Sequence, residues 1–332
     1  MDPSDPTSFN HRTEVLPTGR TYHFVDQLPA RYNHGDTPVL LLLHGFPDLW
    51  YGWRHQIGPW CQHGWRVIAV DMLGYGGTFK PDHAQEYSSG NICKDLSSLL
   101  DILGIRRVVV LGHDWGAYTA WKFCQWQTNR VRAVITLSVP LTPRTPVYFS
   151  LRTLTQKVPD FNYMLFFSDP ASPSKLEKNV GKTVDLLFRT NKTWIRGLTR
   201  NNGMEKAILY DDTGRGDILN DKELAYYSQN FAKGGFRGPS NWYRALEWTW
   251  KEETDANLKQ DLPASLPALF FQPANDPTCP QAAVDAMIPL VPNLQIVKLK
   301  GAGHWLMLEC SHVVTQTTIK WLDEQLKVTA KL

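Results

Sequence analysis

Six short apolar runs punctuate the chain, and turn chemistry follows each of them. Val39 to Leu43 leads into HGFP, Val67 to Val70 into DMLGYGG, and Val108 to Leu111 into GHDWG. Val134 to Leu137 precedes Ser138 and Pro140, Ala268 to Phe271 precedes QPANDP, and Leu294 to Leu299 precedes KGAGHW. Runs that are apolar throughout, rather than at alternate positions, suit strands covered on both faces of a parallel sheet. Helical periodicity lies between them: Ile92, Leu96, Leu99, Leu100 and Leu103 share one face, which ends at Gly104. Alternating strands and helices predict an α/β fold, a mostly parallel sheet flanked by helices. Upstream, a polar lead runs into a short hairpin, with Pro17-Thr18-Gly19 at its turn and Tyr22 and Phe24 alternating after it.

From about Pro140 to Pro263 the strand signals stop. The stretch is rich in Lys, Asn, Arg and aromatic residues, with helical runs such as Lys175 to Phe188 and Lys222 to Phe231. It predicts a helical insertion between two sheet strands. The expected organisation is therefore a sheet-forming part over 1–139, a helical segment over 140–262, and a second sheet-forming part over 263–332. The last helix is expected to finish near Leu326.

Composition narrows the function classes. A chain of 332 residues has room for two domains or for one large domain with an insertion. The net charge of +3 comes without a basic block, which argues against nucleic acid as a partner. Hydrophobic residues at 42% and charged residues at 20% suit a globular protein. Thirteen Trp, 12 Tyr and 14 Phe make an aromatic-lined apolar cavity a reasonable expectation. The five cysteines are scattered, with no C-x-x-C pair, so neither a disulfide framework nor the common zinc spacings apply. With no ligand cluster, neither a metal nor an organic cofactor is expected. The N-terminus reads as no signal peptide, and no apolar run approaches the ~18–20 residues of a membrane helix. The expected location is the cytoplasm.

Chemistry concentrates at three strand ends. Gly112-His113-Asp114-Trp115-Gly116 joins a strand to a helix in the pattern G-x-Nu-x-G, with aspartate at the nucleophile position. Reversing so sharply requires positions without bulk on either side of the nucleophile. The turn also sets the middle side chain at the start of a helix, whose free N–H groups favour an anion. The plainer reading is a Gly-rich turn whose aspartate caps the helix. Asp276 in Asn275-Asp276-Pro277 and His304 in Gly301-Ala302-Gly303-His304-Trp305 follow the last two strand runs. Alone, the first is an ordinary turn residue and the second a loop histidine. In the order Asp114, Asp276, His304 they repeat the nucleophile–acid–base order of α/β-hydrolases. In that fold the loop His44-Gly45-Phe46-Pro47 and the residue after the nucleophile supply the oxyanion-hole amides, here Phe46 and Trp115. DMLGYGG reads as a structural turn, because no Lys-Ser/Thr follows to bind phosphate.

HGFPDLWYGWRHQI, DMLGYGG, GHDWGAYTAW, FNYMLFF, GFRGPSNWYR and GAGHW together resemble the soluble epoxide hydrolases of the α/β-hydrolase superfamily. The resemblance covers about Thr13 to Leu326, and the chain reads as lacking the N-terminal phosphatase domain of the mammalian members. It implies an α/β-hydrolase fold with residues 140–262 as a helical cap. Carried over by motif, it makes Tyr163 and Tyr243 donors to the epoxide oxygen; among twelve tyrosines, Tyr226 and Tyr227 compete when the resemblance is set aside. The implied reaction is attack by Asp114 on an epoxide, then hydrolysis of the ester by water activated by His304 and Asp276. The pocket is expected to be lined by Phe46, Trp115, Trp305 and the tyrosine pair. Expected partners are a bulky hydrophobic epoxide, water, and urea or amide inhibitors. The alternatives are a haloalkane dehalogenase, for which Phe46 stands where a second halide donor is needed, and a non-catalytic binding protein on the same fold. Ala330-Lys331-Leu332 is similar to a peroxisomal address, which adds a peroxisomal location as an expectation.

Overall fold

The computed structural model describes residues 1–329, so Ala330-Lys331-Leu332 lies outside the described residues. Eight strands form one sheet: β1 (His11–Val15), β2 (Thr21–Gln27), β3 (Val39–Leu43), β4 (Arg66–Val70), β5 (Val108–His113), β6 (Val131–Leu137), β7 (Ala268–Pro273) and β8 (Leu294–Leu299). Their order is β1-β2-β4-β3-β5-β6-β7-β8. The β1–β2 hairpin and the β2–β4 pair are antiparallel, and the other pairs are parallel. Each apolar run of the sequence lies in a strand. Strands β3, β4, β5 and β7 are buried at every position, whereas the edge strands β1 and β8 are partly exposed.

Helices cover the sheet: α1 (Arg54–Gln62), α2 (Ser89–Ile102) and α3 (Trp115–Trp126) come before the insertion. The apolar face read from Ile92 to Leu100 is buried on α2. Between β6 and β7 the described chain forms only helices and loops. The helices are α4 (Leu151–Lys157), α5 (Tyr163–Ser168), α6 (Ser172–Glu177), α7 (Val180–Leu187), α8 (Gly203–Leu209), α9 (Asp221–Gly234), α10 (Arg237–Arg244) and α11 (Leu246–Asp255). Then follow α12 (Gln281–Met287), α13 (Leu306–Glu309) and α14 (Ser311–Thr329). No helix among the described residues is long and apolar enough to cross a membrane.

Two helix boundaries differ from the sequence reading. The run Lys175 to Phe188 is two helices, because the Asn179 side chain accepts the Lys182 amide and starts α7 anew. The last helix continues past Leu326 to Thr329. DMLGYGG is a turn, as read. Asp71 within it accepts the Trp50 and Gly77 amides, at 3.0 and 3.1 Å.

The helical segment is fastened to the sheet layer by buried polar contacts. The Tyr227 hydroxyl donates to Asp48 at 2.6 Å, the Trp50 indole N–H to the Tyr226 hydroxyl at 3.1 Å, and the Trp242 indole N–H to the Leu73 carbonyl at 2.9 Å. Two ion pairs, Arg54–Glu223 and Lys122–Glu253, both at 2.8 Å, are almost fully buried. These contacts roof the C-terminal ends of the parallel strands, where open α/β sheets place their ligands.

Candidate active site

The register sets the site. Leu43 of β3 stands beside Gly112 of β5, His113 beside Leu137 of β6, and Pro273 of β7 beside Leu299 of β8. The loops carrying Phe46, Asp114, Asp276 and His304 therefore leave the sheet at one end.

Asp114 sits on a turn with φ 54° and ψ −122°, a conformation that costs a non-glycine residue on the order of 1–3 kcal/mol. The flanking glycines make the turn possible. A Cβ on Gly112 would come within 2.1 Å of the Gly116 carbonyl oxygen, and one on Gly116 within 2.1 Å of the Leu43 oxygen. The Asp114 side chain makes no capping bond to α3, so the plain capping reading fails. Its Oδ1 instead accepts the Phe46 amide at 2.7 Å, and the Trp115 amide also stabilises the carboxylate. Burial still prevails and raises its pKa, against the pull of His304 and the two amides.

His304 lies between two carboxylates. Its Nδ1 is 2.7 Å from Asp276 Oδ2, and its Nε2 is 3.6 Å from Asp114 Oδ2. Burial alone would lower its pKa, but the charge and hydrogen bond of Asp276, with Asp114 behind them, outweigh burial and raise it to about 9. Asp276 goes the other way: burial opposes its charge, yet His304 and Thr278 hold it below the usual carboxylate range.

Tyr163, at the start of α5, and Tyr243, on α10, bring their rings to within 6.3 Å of each other at 87°, above Asp114. Burial first, and the Asp114 charge second, push both phenols well above their ordinary pKa, so both keep their protons at neutral pH. The competing tyrosines are engaged elsewhere, Tyr226 with Trp50 and Tyr227 with Asp48.

A cavity of about 60 Å³ gathers Phe46, Asp114, Tyr163, Tyr243, His304 and Trp305 at one surface, and Phe167, Trp194 and Met204 also line it. Trp115 does not line it. It lines a second cavity of about 200 Å³ with Tyr118, Leu154, Phe161, Met164 and Leu246, on the other side of Asp114 and Tyr163. Both are smaller than the roughly 300–1,000 Å³ of typical ligand pockets.

Four supporting residues escape the sequence reading. The Thr278 amide and hydroxyl donate to Asp276 Oδ1 at 2.8 and 2.7 Å, an Asx-type turn that Asp-Pro-Thr could have suggested. His113 Nε2 and the Ser138 hydroxyl both reach the His304 carbonyl at 2.8 Å, and Ser138 holds a φ of 69°. Glu309 accepts the Gly303 and Trp305 amides, each at 2.9 Å, and steadies the loop that carries His304. An acyl- or alkyl-transfer reaction fits this set. It combines a strained carboxylate beside two amides, a buried acid–imidazole pair, and two neutral phenols.

The chain matches the alpha/beta hydrolase fold family over residues 38–310. It is similar to the bifunctional epoxide hydrolase 2 of Rattus norvegicus, 34% identical over 99% of this chain and 59% of that protein. The chain thus spans about three-fifths of the length of that relative. Epoxide hydrolase A of Mycobacterium tuberculosis is 32% identical over 86% of this chain and 90% of its own length. Among solved structures, the crystal structure of epoxide hydrolase A from Mycobacterium thermoresistibile superposes with a TM-score of 0.81 at 31% identity, covering 95% of this chain and 98% of that one. An epoxide hydrolase from Vigna radiata gives 0.80 at 26% identity, covering 96% and 99%.

Proposed function

This chain belongs to the alpha/beta hydrolase fold family, with epoxide hydrolases among its relatives, and on that premise we propose that it hydrolyses hydrophobic epoxides to vicinal diols. The observation that carries the reading is the placement of one amide-bound carboxylate, Asp114, under two protonated phenols, with the His304–Asp276 pair behind it.

In the first step an Asp114 oxygen attacks a ring carbon, and the carbon–oxygen bond of the ring breaks. Tyr163 and Tyr243 hold the ring oxygen and protonate it as it leaves; such donors act because they meet charge that develops in the transition state. The product is an ester between Asp114 and the opened substrate. In the second step water attacks the carboxyl carbon of Asp114 and gives its proton to His304, which Asp276 orients. The bond from that carbon to the substrate oxygen then breaks, and the imidazolium returns the proton to the leaving alkoxide. The carboxylic acid so formed on Asp114 reprotonates the phenolate left by ring opening. The Phe46 and Trp115 amides carry the oxyanion. The diol leaves with the oxygen of the original ring and the one that Asp114 contributed, and Asp114 keeps one oxygen from water. The 140–262 segment acts as a cap that delivers the two phenols and excludes water from the alkylation step.

The apolar lining favours aryl or fatty-acid epoxides. A neutral urea or amide, whose carbonyl meets the phenols and whose N–H meets Asp114, should inhibit. A dehalogenase reading finds no halide donor at Phe46, whereas two phenols face the carboxylate. A binding protein would have no need of a complete set of nucleophile, base and acid.

Intact-mass measurement of the His304→Gln variant with an aryl epoxide tests the reading. The expected result is protein plus one substrate mass, mapped to the Asp114 peptide, with no adduct when Asp114→Ala is added. Normal turnover by His304→Gln, or an adduct elsewhere, would overturn it.

A further inference from the structure

At the end of the sheet remote from Asp114 the fold gathers arginines that no run in the sequence announces. Arg106 and Arg107 immediately precede β5, and Arg132 is the second residue of β6, the strand paired with β5. Two cavities meet on these three side chains. One, of about 480 Å³, also takes in Tyr32, His34 and Thr37; the other, of about 620 Å³, also takes in Arg130. No aspartate or glutamate lines either.

Arg130 is engaged, with Asp101 at 2.5 Å and the Ile105 carbonyl at 2.8 Å. Arg107 reaches only the Val131 carbonyl, at 2.8 Å. Arg106 and Arg132 have no carboxylate or carbonyl partner among the described residues. Burial first, then the charges of Arg132 and Arg106, lower the pKa of Arg107, the mark of cations crowded together. An ordinary solvated basic face is convex and interleaved with acids. Here exposed Arg106 and Arg107 and half-buried Arg132 line the same cleft with no acid beside them, so their like charges oppose one another until an anion enters.

We propose that this cleft is a binding site for a small phosphate-bearing ligand of two or more negative charges, held by Arg106, Arg107 and Arg132. Guanidinium forks match phosphate oxygens in pairs, which a lysine would not do. The 480 Å³ of the first cavity falls in the range of small-molecule sites, roughly 300–1,000 Å³. Tyr32 and His34, set edge to face at 6.4 Å, wall the side on which the rest of the ligand lies. The six residues of β5, at ~3.3 Å each, put the cleft about 20 Å from Asp114, so the site stands independently of the chemistry proposed there.

The same chemistry has two sources, a free phosphorylated molecule and a phospholipid headgroup, and the experiment separates them. Pyrophosphate is titrated calorimetrically into the full chain at low salt. The wild type, an R106Q/R132Q variant, and a K222Q/K298Q variant that loses two charges elsewhere are compared. One site per chain is expected, weakened at least tenfold in R106Q/R132Q and unchanged in K222Q/K298Q. In parallel, sedimentation uses vesicles of phosphatidylcholine with and without phosphatidylserine. Binding to anionic vesicles that pyrophosphate displaces assigns the headgroup, and pyrophosphate binding without vesicle binding assigns the free ligand. No saturable binding of either probe, or equal weakening in the two variants, overturns the proposal. Epoxide turnover by R106Q/R132Q at the wild-type rate verifies that the variant is folded.

Discussion

Tyr163 and Tyr243 make the sharpest residue-scale prediction, because neither belongs to the α/β-hydrolase core and both face Asp114. Either Tyr→Phe change should slow ester formation on the order of 10²-fold, the usual loss for one oxyanion-type donor, and the double change should nearly abolish it. Rapid-quench measurement of ester formation checks this; two single variants at wild-type rates would mean another acid opens the ring. His304 makes a second prediction. Both carboxylates contribute to its raised pKa of about 9, so the free enzyme keeps the ring protonated through neutral pH. In the proposed reaction, ester formation neutralises Asp114 and removes one of the two, so the pKa should fall and release the neutral imidazole that the proposed water step needs. Imidazole NMR of the free enzyme should give a pKa near 9, and the pH profile of ester decay a lower one, with decay faster as pH rises through it. Identical values would show that Asp114 does not support the imidazolium. Asp114, Asp276 and His304 are legible in the sequence because each follows a strand run with turn chemistry. Thr278 is legible only as a local Asp-Pro-Thr turn, and Ser138 and His113 are not legible, since their contacts to the His304 carbonyl form only when the ends of β5, β6 and β8 meet. The tyrosines are legible only through the resemblance, as nothing in FNYMLFF separates a donor from a core aromatic.

At the scale of elements, α3 carries two tasks: it begins at the nucleophile turn, and its Lys122 pairs with Glu253 of α11 at 2.8 Å, with 6% and 3% of the side chains exposed. Such pairs contribute little over an apolar pair, but breaking one strands a buried charge. Lys122→Met should therefore cost about 3–5 kcal/mol of unfolding free energy, and K122M/E253M should recover much of that loss. Denaturant midpoints read the difference, and a K122M loss below about 1 kcal/mol would show that water reaches the pair. The sequence reveals elements according to how uniformly they are buried. Strands β3 to β7 each contain an apolar run because helices cover both faces, and the strands extend one to three residues beyond the run in β4 to β7. The helices of the insertion bury narrower faces, so Asn179 ends one helix and starts another inside what reads as a single run. The fastenings to the sheet layer, from Lys122–Glu253 at 131 positions to Tyr227–Asp48 at 179, join residues far apart in the chain and leave no local signal.

For the molecule as a whole, the question is how the bulky substrate proposed above would enter a site this small. The cavity beside Asp114 holds about 60 Å³, against the roughly 300–1,000 Å³ of typical ligand pockets, and the 200 Å³ cavity lies across the Asp114–Tyr163 divide. The sheet side of that divide is fixed by buried strands. The side that can yield is the helical segment, where Phe167 of α5 packs on Tyr163 and Met204 of α8 lines the same cavity. Substrate size is therefore set by how far α5 and α8 move or how much they fill. Replacing Met204 with Ala removes apolar volume without touching a reacting group. It should raise kcat/KM for a bulky aryl epoxide relative to a small alkyl one by about tenfold or more, since pocket volume of this order is worth roughly 1–3 kcal/mol in discrimination. The change should appear mainly in KM and in the rate of ester formation, with ester decay unaltered because His304 and Asp276 keep their contacts. An unchanged ratio would place the restriction at the mouth of the second cavity, around Leu154 and Leu246, and Leu246→Ala would then shift the ratio in its place.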